Sequence, residues 1–351
     1  MVFPILEQQS VLVEVKNNIG WITLNRPKVL NSLNTEMVGI IYEQLLNWQV
    51  DQRVVLICIT GEGTKGLCAG GDMRALYDLR DTNIQEEAFS FFSTEYQMNL
   101  LIHHYSKPIL VYMDGVVMGG GVGLSIGCSH RIVTEKTKWA MPEMNIGFFP
   151  DVGSSYFLNK MPGQIGRYLA LTSNIINAED VIYTGAADYQ IDTISWPKLK
   201  SDLLSNDWFA SSVETELTRI VNHHSRESST ESSELADNYD RINKHFKYES
   251  IEETIVSLNN DSSDWAEKTK LTLLSKSLLS LKVTLQQLQK GKSKTIKECF
   301  DMELNLSMNF MNNFDFFEGV RSVLVDKDRT PNWKYKYLKE ITNEKVASYF
   351  T

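Results

Sequence analysis

Two acids and two clusters of glycine are the residues whose types and spacing could do chemistry. Glu143 follows Pro142 and Asp151 follows Pro150, each in a segment with few other polar groups and a stiff proline beside it. Gly119, Gly120, Gly121 and Gly123 follow the apolar run 108–113 and open a helical segment. A glycine lets the backbone approach a ligand closely because it carries no Cβ. The first N–H groups of a helix have no partner within it, and the helix dipole adds positive potential there. A strand that runs into a glycine-rich helix start is therefore a place to hold a negative oxygen. A second glycine-studded stretch, residues 61–71, follows another apolar run. Two such turns at adjacent strand ends could aim two backbone N–H groups at one point, and ligands in such folds sit beyond the carboxyl ends of strands.

Plainer readings exist for each group. The glycines also suit a tight packing turn, and Asp151, just before Val-Gly-Ser-Ser, suits a helix N-cap. Dinucleotide binding is excluded. With Gly119 or Gly121 as the first glycine of G-x-G-x-x-G, the last position falls on Leu124 or Ile126.

The elements that must position these residues follow from periodicity. Residues 11–15 and 21–24 are β-rich and flank Asn17-Asn18-Ile19-Gly20, which predicts a hairpin. A capped amphipathic helix is predicted from 34 to 50, and buried strands at 54–60, 108–113 and 130–134. Helices are predicted at 72–80, 86–104, 163–172 and 178–183. Strands and helices alternating at this spacing argue for right-handed crossovers and a parallel sheet. Residues 225–234 are polar and low in complexity and read as a solvated loop, where phosphorylation is conceivable. Helical periodicity then dominates at 251–258, 265–274, 278–289 and 295–311.

The totals exclude several classes. The chain has 351 residues, 42% hydrophobic and 23% charged, as a globular protein requires. Its net charge of −9 argues against DNA or general nucleic-acid binding, so an anionic ligand needs a local basic patch, for which Arg26, Lys28, Lys65 and Arg74 are candidates. No apolar run approaches membrane-span length. The four cysteines have no zinc or C-x-x-C spacing, and Cys58 and Cys128 read as core thiols. The six histidines have neither metal-ligand nor triad spacing, and no metal or cofactor is expected. The aromatic stripe Phe89, Phe91, Phe92, Tyr96 reads as core or interface. The first residues lack the Arg-rich amphipathic pattern of a mitochondrial transit peptide, and the last four are not a peroxisomal address.

Two segments, Leu67-Cys-Ala-Gly-Gly-Asp-Met73 and Met118-Gly-Gly-Gly-Val-Gly-Leu124, resemble the two-part signature of the enoyl-CoA hydratase/isomerase (crotonase) superfamily. Residues 140–153, with Phe-Phe-Pro-Asp-Val-Gly, and residues 317–333, with Val-Asp-Lys-Asp-x-x-Pro-x-Trp, are similar to its 3-hydroxyisobutyryl-CoA hydrolase branch. The resemblance runs over about residues 11–350. It implies an α/β fold, a spiral of ββα turns with an acyl-CoA site over residues 1–200 and a mainly helical region over 201–351. That spiral refines the plain parallel sheet. It implies backbone donors at Gly71 and Gly120 for the thioester oxygen, acyl-CoA contacts at Glu95, Gly120, Glu143 and Asp151, and a CoA path along Asp72, Met73 and Arg74.

The implied reaction is hydrolysis of a small β-hydroxyacyl-CoA thioester, as in valine breakdown, with CoA as part of the substrate. Glu143 would act as nucleophile or general base, and the sequence leaves both routes open. Asp151 would bind the 3-hydroxyl and help place the water. Glu95 would hydrogen-bond near the acyl group, although a plain helix-face glutamate fits the sequence equally. Hydratases of the superfamily carry a second glutamate three residues after the hole glycine; here that residue is Gly123. The rivals are an enoyl-CoA hydratase or isomerase, and a structural subunit such as a mitochondrial ribosome component. The resemblance also implies a mitochondrial setting, with cytoplasm as the alternative. It leaves a monomer or a homo-oligomer assembled through the C-terminal helices.

Overall fold

The computed structural model describes residues 9–226 and 233–351. The readings made for the first eight residues and for residues 227–232 lie outside the described residues; at the end of the predicted solvated loop Ser233 is instead buried, donating to Asp180 at 2.7 Å.

The chain opens with a hairpin, β1 (Val11–Lys16) and β2 (Ile19–Leu24). Asn17 and Asn18 turn it with φ values of 47° and 61°, a left-handed pair that suits a two-residue loop and that Asn tolerates. The helix α1 (Thr35–Val50) follows, and the Asn34 side chain caps it by accepting the Met37 N–H. From there strands alternate between two sheets. β3 (Leu56–Gly61), β5 (Ile109–Met113), β7 (His130–Thr134) and β9 (Tyr189–Ile191) extend the hairpin in the order β1-β2-β3-β5-β7-β9. Every pairing after β1–β2 is parallel. β4 (Gly66–Cys68), β6 (Val116–Met118) and β8 (Lys138–Ala140) form a second, fully parallel sheet in that order.

Each turn of the chain thus lays one strand in the large sheet and the next in the small one, and this alternation is the spiral. The sequence reading placed the strands of the large sheet except the short β9. It missed the whole small sheet, because a three-residue strand shows no period-2 pattern. Connecting helices include α2 (Met73–Asp78), α3 (Ile84–His103) and α4 (Gly120–Ile126).

Past β9 the described residues are helices and their connections. The helices Leu278–Gly291 and Ile296–Phe310 bury apolar faces in the same core as α1, α3 and β5. Aromatic rings make the join. Phe148 stacks on Phe92 at 5.8 Å and meets Phe310 edge-on at 5.3 Å, and Phe310 meets Tyr349 at 4.9 Å. A second cluster covers the other face of the large sheet with Leu199, Leu203, Leu217 and Val221. All four cysteines are buried free thiols.

Candidate active site

The three strands of the small sheet end at one place. β4 runs into Ala69, Gly70 and Gly71; β6 runs into Gly119 and Gly120; β8 runs into Pro142 and Glu143. Because β6 lies between β4 and β8, these three endings are neighbours. The location is the carboxyl edge of a parallel sheet, where ligands bind in such folds.

The first two endings supply amides. A parallel bridge joins Leu33 to Gly71. It uses the flanking groups: Leu33 N–H donates to the Gly70 carbonyl at 2.8 Å and Asp72 N–H to the Leu33 carbonyl at 2.7 Å. The Gly71 amide is left out of that ladder. Gly120 is the first residue of α4, so its N–H has no intrahelical acceptor, while Gly119 N–H is taken by the Ala140 carbonyl at 3.2 Å. The two amides adjoin. A Cβ built on Gly120 would lie 3.4 Å from the Gly71 nitrogen, and one on Gly70 would lie 3.6 Å from the Gly120 nitrogen. Gly119 has φ +49° and ψ −116°, a conformation for glycine alone, and a Cβ there would lie 2.8 Å from Glu143 Oε1.

The third ending supplies an acid, and two more face it. Glu143 starts a 3₁₀ turn, is buried, and its Oε2 has no hydrogen-bond partner. Glu95 projects from α3; it is 1% exposed, and its Oε1 is likewise unpartnered. That oxygen lies 2.5 Å from where a Gly120 Cβ would stand, so Gly120 and Glu95 are in contact only because Gly120 lacks a side chain. Asp151 is buried, with Oδ2 accepting the Tyr96 hydroxyl at 2.7 Å.

Burial pushes all three acids up, because it disfavours the charged form. Asp151 is raised to about 7, with the Tyr96 hydrogen bond working the other way. Glu143 and Glu95 are raised well above the usual carboxylate range, first by burial and then by the negative charge of Asp151. Among the described residues no His, Cys, Asp and Glu groups are arranged to hold a metal ion.

A cavity of about 530 Å³ collects the parts. Its walls include Gly71, Gly120, Glu95, Glu143, Asp151, Asp72, Met73 and Arg74, so every site residue that the family resemblance implies lines one space. The basic candidates divide. Lys28 and Arg74 line the cavity. Arg26 instead pairs with Asp72 at 3.0 Å and donates to the Ser32 carbonyl at 2.7 Å. Lys65 faces other surface recesses.

Val323 and Leu324, which sequence reasoning did not single out, line the cavity from the C-terminal segment together with Lys327, whose charged run 326–329 reads from the sequence as either packing on the core or closing over the CoA. Arg321 holds that segment through Glu318 at 2.8 Å and Asp326 and Asp328 at 2.6 Å each, and Lys327 and Arg329 sit at φ 59° and 57°. Tyr96, read as core or interface, is buried in the core and also touches the site. The histidines stand outside the cavity walls.

The match to known proteins agrees with this geometry. A family model described as enoyl-CoA hydratase/isomerase matches residues 19–350. The chain belongs to the enoyl-CoA hydratase/isomerase family. Within the family it is 41% identical over 334 residues to a protein of Xenopus tropicalis named 3-hydroxyisobutyryl-CoA hydrolase, mitochondrial, covering 95% of this chain and 86% of that one. The Homo sapiens protein of the same name is 40% identical, covering 97% of this chain and 88% of its own. Among solved structures, a carnitinyl-CoA dehydratase from Mycobacterium thermoresistibile superposes with a TM-score of 0.91 at 32% identity, covering 98% of this chain and 97% of its own. An enoyl-CoA hydratase from Rhodobacter sphaeroides superposes with a TM-score of 0.88 at 33% identity and the same coverages.

Proposed function

We propose that this chain hydrolyses the thioester of 3-hydroxyisobutyryl-CoA, releasing 3-hydroxyisobutyrate and free CoA. The carrying observation is that two adjoining, unused backbone amides, Gly71 and Gly120, share a cavity with Glu143 and Asp151. The thioester oxygen takes both amides and keeps them as it becomes an oxyanion. Each preorganised donor of this kind lowers the barrier by about 3 kcal/mol. Glu143 takes a proton from the attacking water and returns it to the departing sulfur, or it attacks the carbonyl carbon itself, in which case the CoA thiolate leaves and takes a proton from water, and a second water hydrolyses the anhydride left on Glu143. Asp151 accepts a hydrogen bond from the 3-hydroxyl. A buried acceptor left unpaired makes an acyl group without that hydroxyl a poor substrate. Lys28, Arg74 and Lys327 put positive charge at the cavity wall for the CoA phosphates.

The relatives' names divide between hydrolase, dehydratase and hydratase, and one position favours hydrolysis. The place where superfamily hydratases carry their second glutamate is Gly123. A Cβ there would lie 2.7 Å from the Asn99 side-chain nitrogen and 2.8 Å from the Val152 Cβ. No carboxylate fits in that space, so the two-acid arrangement that positions water for hydration is incomplete. The higher identity to the hydrolases points the same way.

Purified protein given 3-hydroxyisobutyryl-CoA should release free thiol. Hydration of crotonyl-CoA without thiol release would instead make the chain a hydratase, and inertness toward both would make it a structural subunit. On the names of its relatives we assign it to the mitochondrion, a placement that cell fractionation tests.

A further inference from the structure

Tyr96 follows Glu95 on α3 and points into the core, with its ring against Phe92 and Phe300. Its hydroxyl donates to Asp151 Oδ2 at 2.7 Å and lies 2.7 Å from Ser307 Oγ. When Asp151 is ionised it has no proton to give, so the single Tyr96 proton then lies on the Asp151 side and Ser307 donates to the phenol oxygen. The chain of donors therefore runs one way, from Ser307 through Tyr96 to Asp151, and each bond polarises the next.

The same C-terminal helix also grips the backbone beneath Asp151. Glu303, one turn before Ser307 on Ile296–Phe310, accepts the N–H groups of Gly153 at 2.7 Å and Ser155 at 2.9 Å. Just before them, next to Asp151, Val152 sits at φ 51°, where a β-branched residue is rarely found. Such a conformation persists when its surroundings over-determine it.

We propose that Tyr96, braced by Ser307, is a positioning residue that occupies one oxygen of Asp151, presents the other to the acyl chain, and so selects thioesters that carry a 3-hydroxyl. This rests on the hydrolase reading above. The groups facing Asp151 are Glu95 and Tyr96 from α3, Glu143 from the turn after β8, and Glu303 and Ser307 from the C-terminal helix. Among the described residues no Lys or Arg pairs with it. Without the Tyr96 donor the carboxylate stands among three other acids with only a backbone hydrogen bond to stabilise its charge.

The test compares Tyr96→Phe and Ser307→Ala with the unaltered protein on 3-hydroxyisobutyryl-CoA and isobutyryl-CoA, over about pH 5 to 9. Tyr96→Phe should lower the preference for the hydroxylated substrate about tenfold, chiefly through KM, and move the acid limb of kcat/KM to higher pH. Ser307→Ala should move both in the same direction by less. A folded Tyr96→Phe variant that keeps the unaltered selectivity and acid limb overturns the proposal. Equal losses on both substrates with no pH shift also overturn it, since that is a packing effect. If Tyr96→Phe does not fold, Ser307→Ala decides alone, and an unmoved selectivity and profile overturn the proposal. Failure of the unaltered protein to hydrolyse either thioester removes the hydrolase reading and this inference together; normal hydrolysis with unaltered Tyr96→Phe behaviour removes the inference only.

Discussion

The two walls of the cavity are built on opposite principles. One wall is backbone: the Gly71 and Gly120 amides, fixed by strand ends and carrying no titratable group. The other wall is charge: Glu95, Glu143 and Asp151, buried close together with no basic partner among the described residues. Short of proline, which deletes an N–H outright, substitution cannot remove the first wall's groups; an added side chain can only obstruct them. The second wall can be neutralised one acid at a time, and pH acts on it directly. Proton concentration should therefore leave the donors untouched while it tunes the acids.

The largest expected effect is on the charged wall. Glu143→Gln keeps shape but removes the proposed nucleophile or base, and thiol release should fall on the order of 10³-fold with the fold intact. A loss under tenfold would take Glu143 out of the reaction. On the backbone wall, Gly120→Ala places a methyl 2.5 Å from Glu95 Oε1 and 3.2 Å from Leu33 Cδ1. That displaces the donor and Glu95 together, and kcat should drop about 10²-fold. An alanine enzyme with full kcat would show that this amide is not a donor to the reaction.

A smaller effect separates the walls by pH. With Asp151 raised to about 7 and Glu143 raised as well, the ionised fraction grows as pH rises from 6 through 8. Hydrolysis should climb over that range, and the backbone donors should add no further step. A flat profile would mean that neither acid must be ionised.

The backbone wall was legible in the sequence and much of its support was not. Glycines before a helix, and Pro-Glu and Pro-Asp pairs in apolar segments, announce themselves by type and spacing. The strands that deliver them, β4, β6 and β8, have three residues each, too short for any pattern. Recognising the spiral needed the resemblance, since periodicity alone suggested one plain parallel sheet. The contacts that fix Asp151 reach it from Tyr96 and Ser307, 55 residues before it and, from Tyr96 to Ser307, 211 residues apart. On their own helices a tyrosine in an aromatic stripe and a serine on a buried face look like packing. Lys65 failed as a rim candidate for a related reason. Its carbonyl is bonded to Val116 at 3.0 Å, which ties it to the opposite end of the small sheet from the cavity.

The gentlest test reads the charged wall through stability rather than turnover. Asp151 binds its proton more tightly in the folded chain than in the unfolded one, where its pKa is near 3.8. Between that value and about 7 the native state holds the extra proton, so stability must fall as pH rises through this window. Below the window both states are protonated and above it both are ionised, so the contribution levels off at either end. Each such proton adds a slope of at most about 1.4 kcal/mol per pH unit. Asp151→Asn removes that proton, so chemical denaturation should show a shallower decline and a variant more stable than the unaltered protein above pH 7. Glu143 and Glu95 keep their own contributions, raised first by burial, so the decline should shrink without vanishing. An Asn variant with an unchanged slope would mean that Asp151 is not held above its ordinary range. In that case the strain on this wall lies with Glu95 and Glu143 alone.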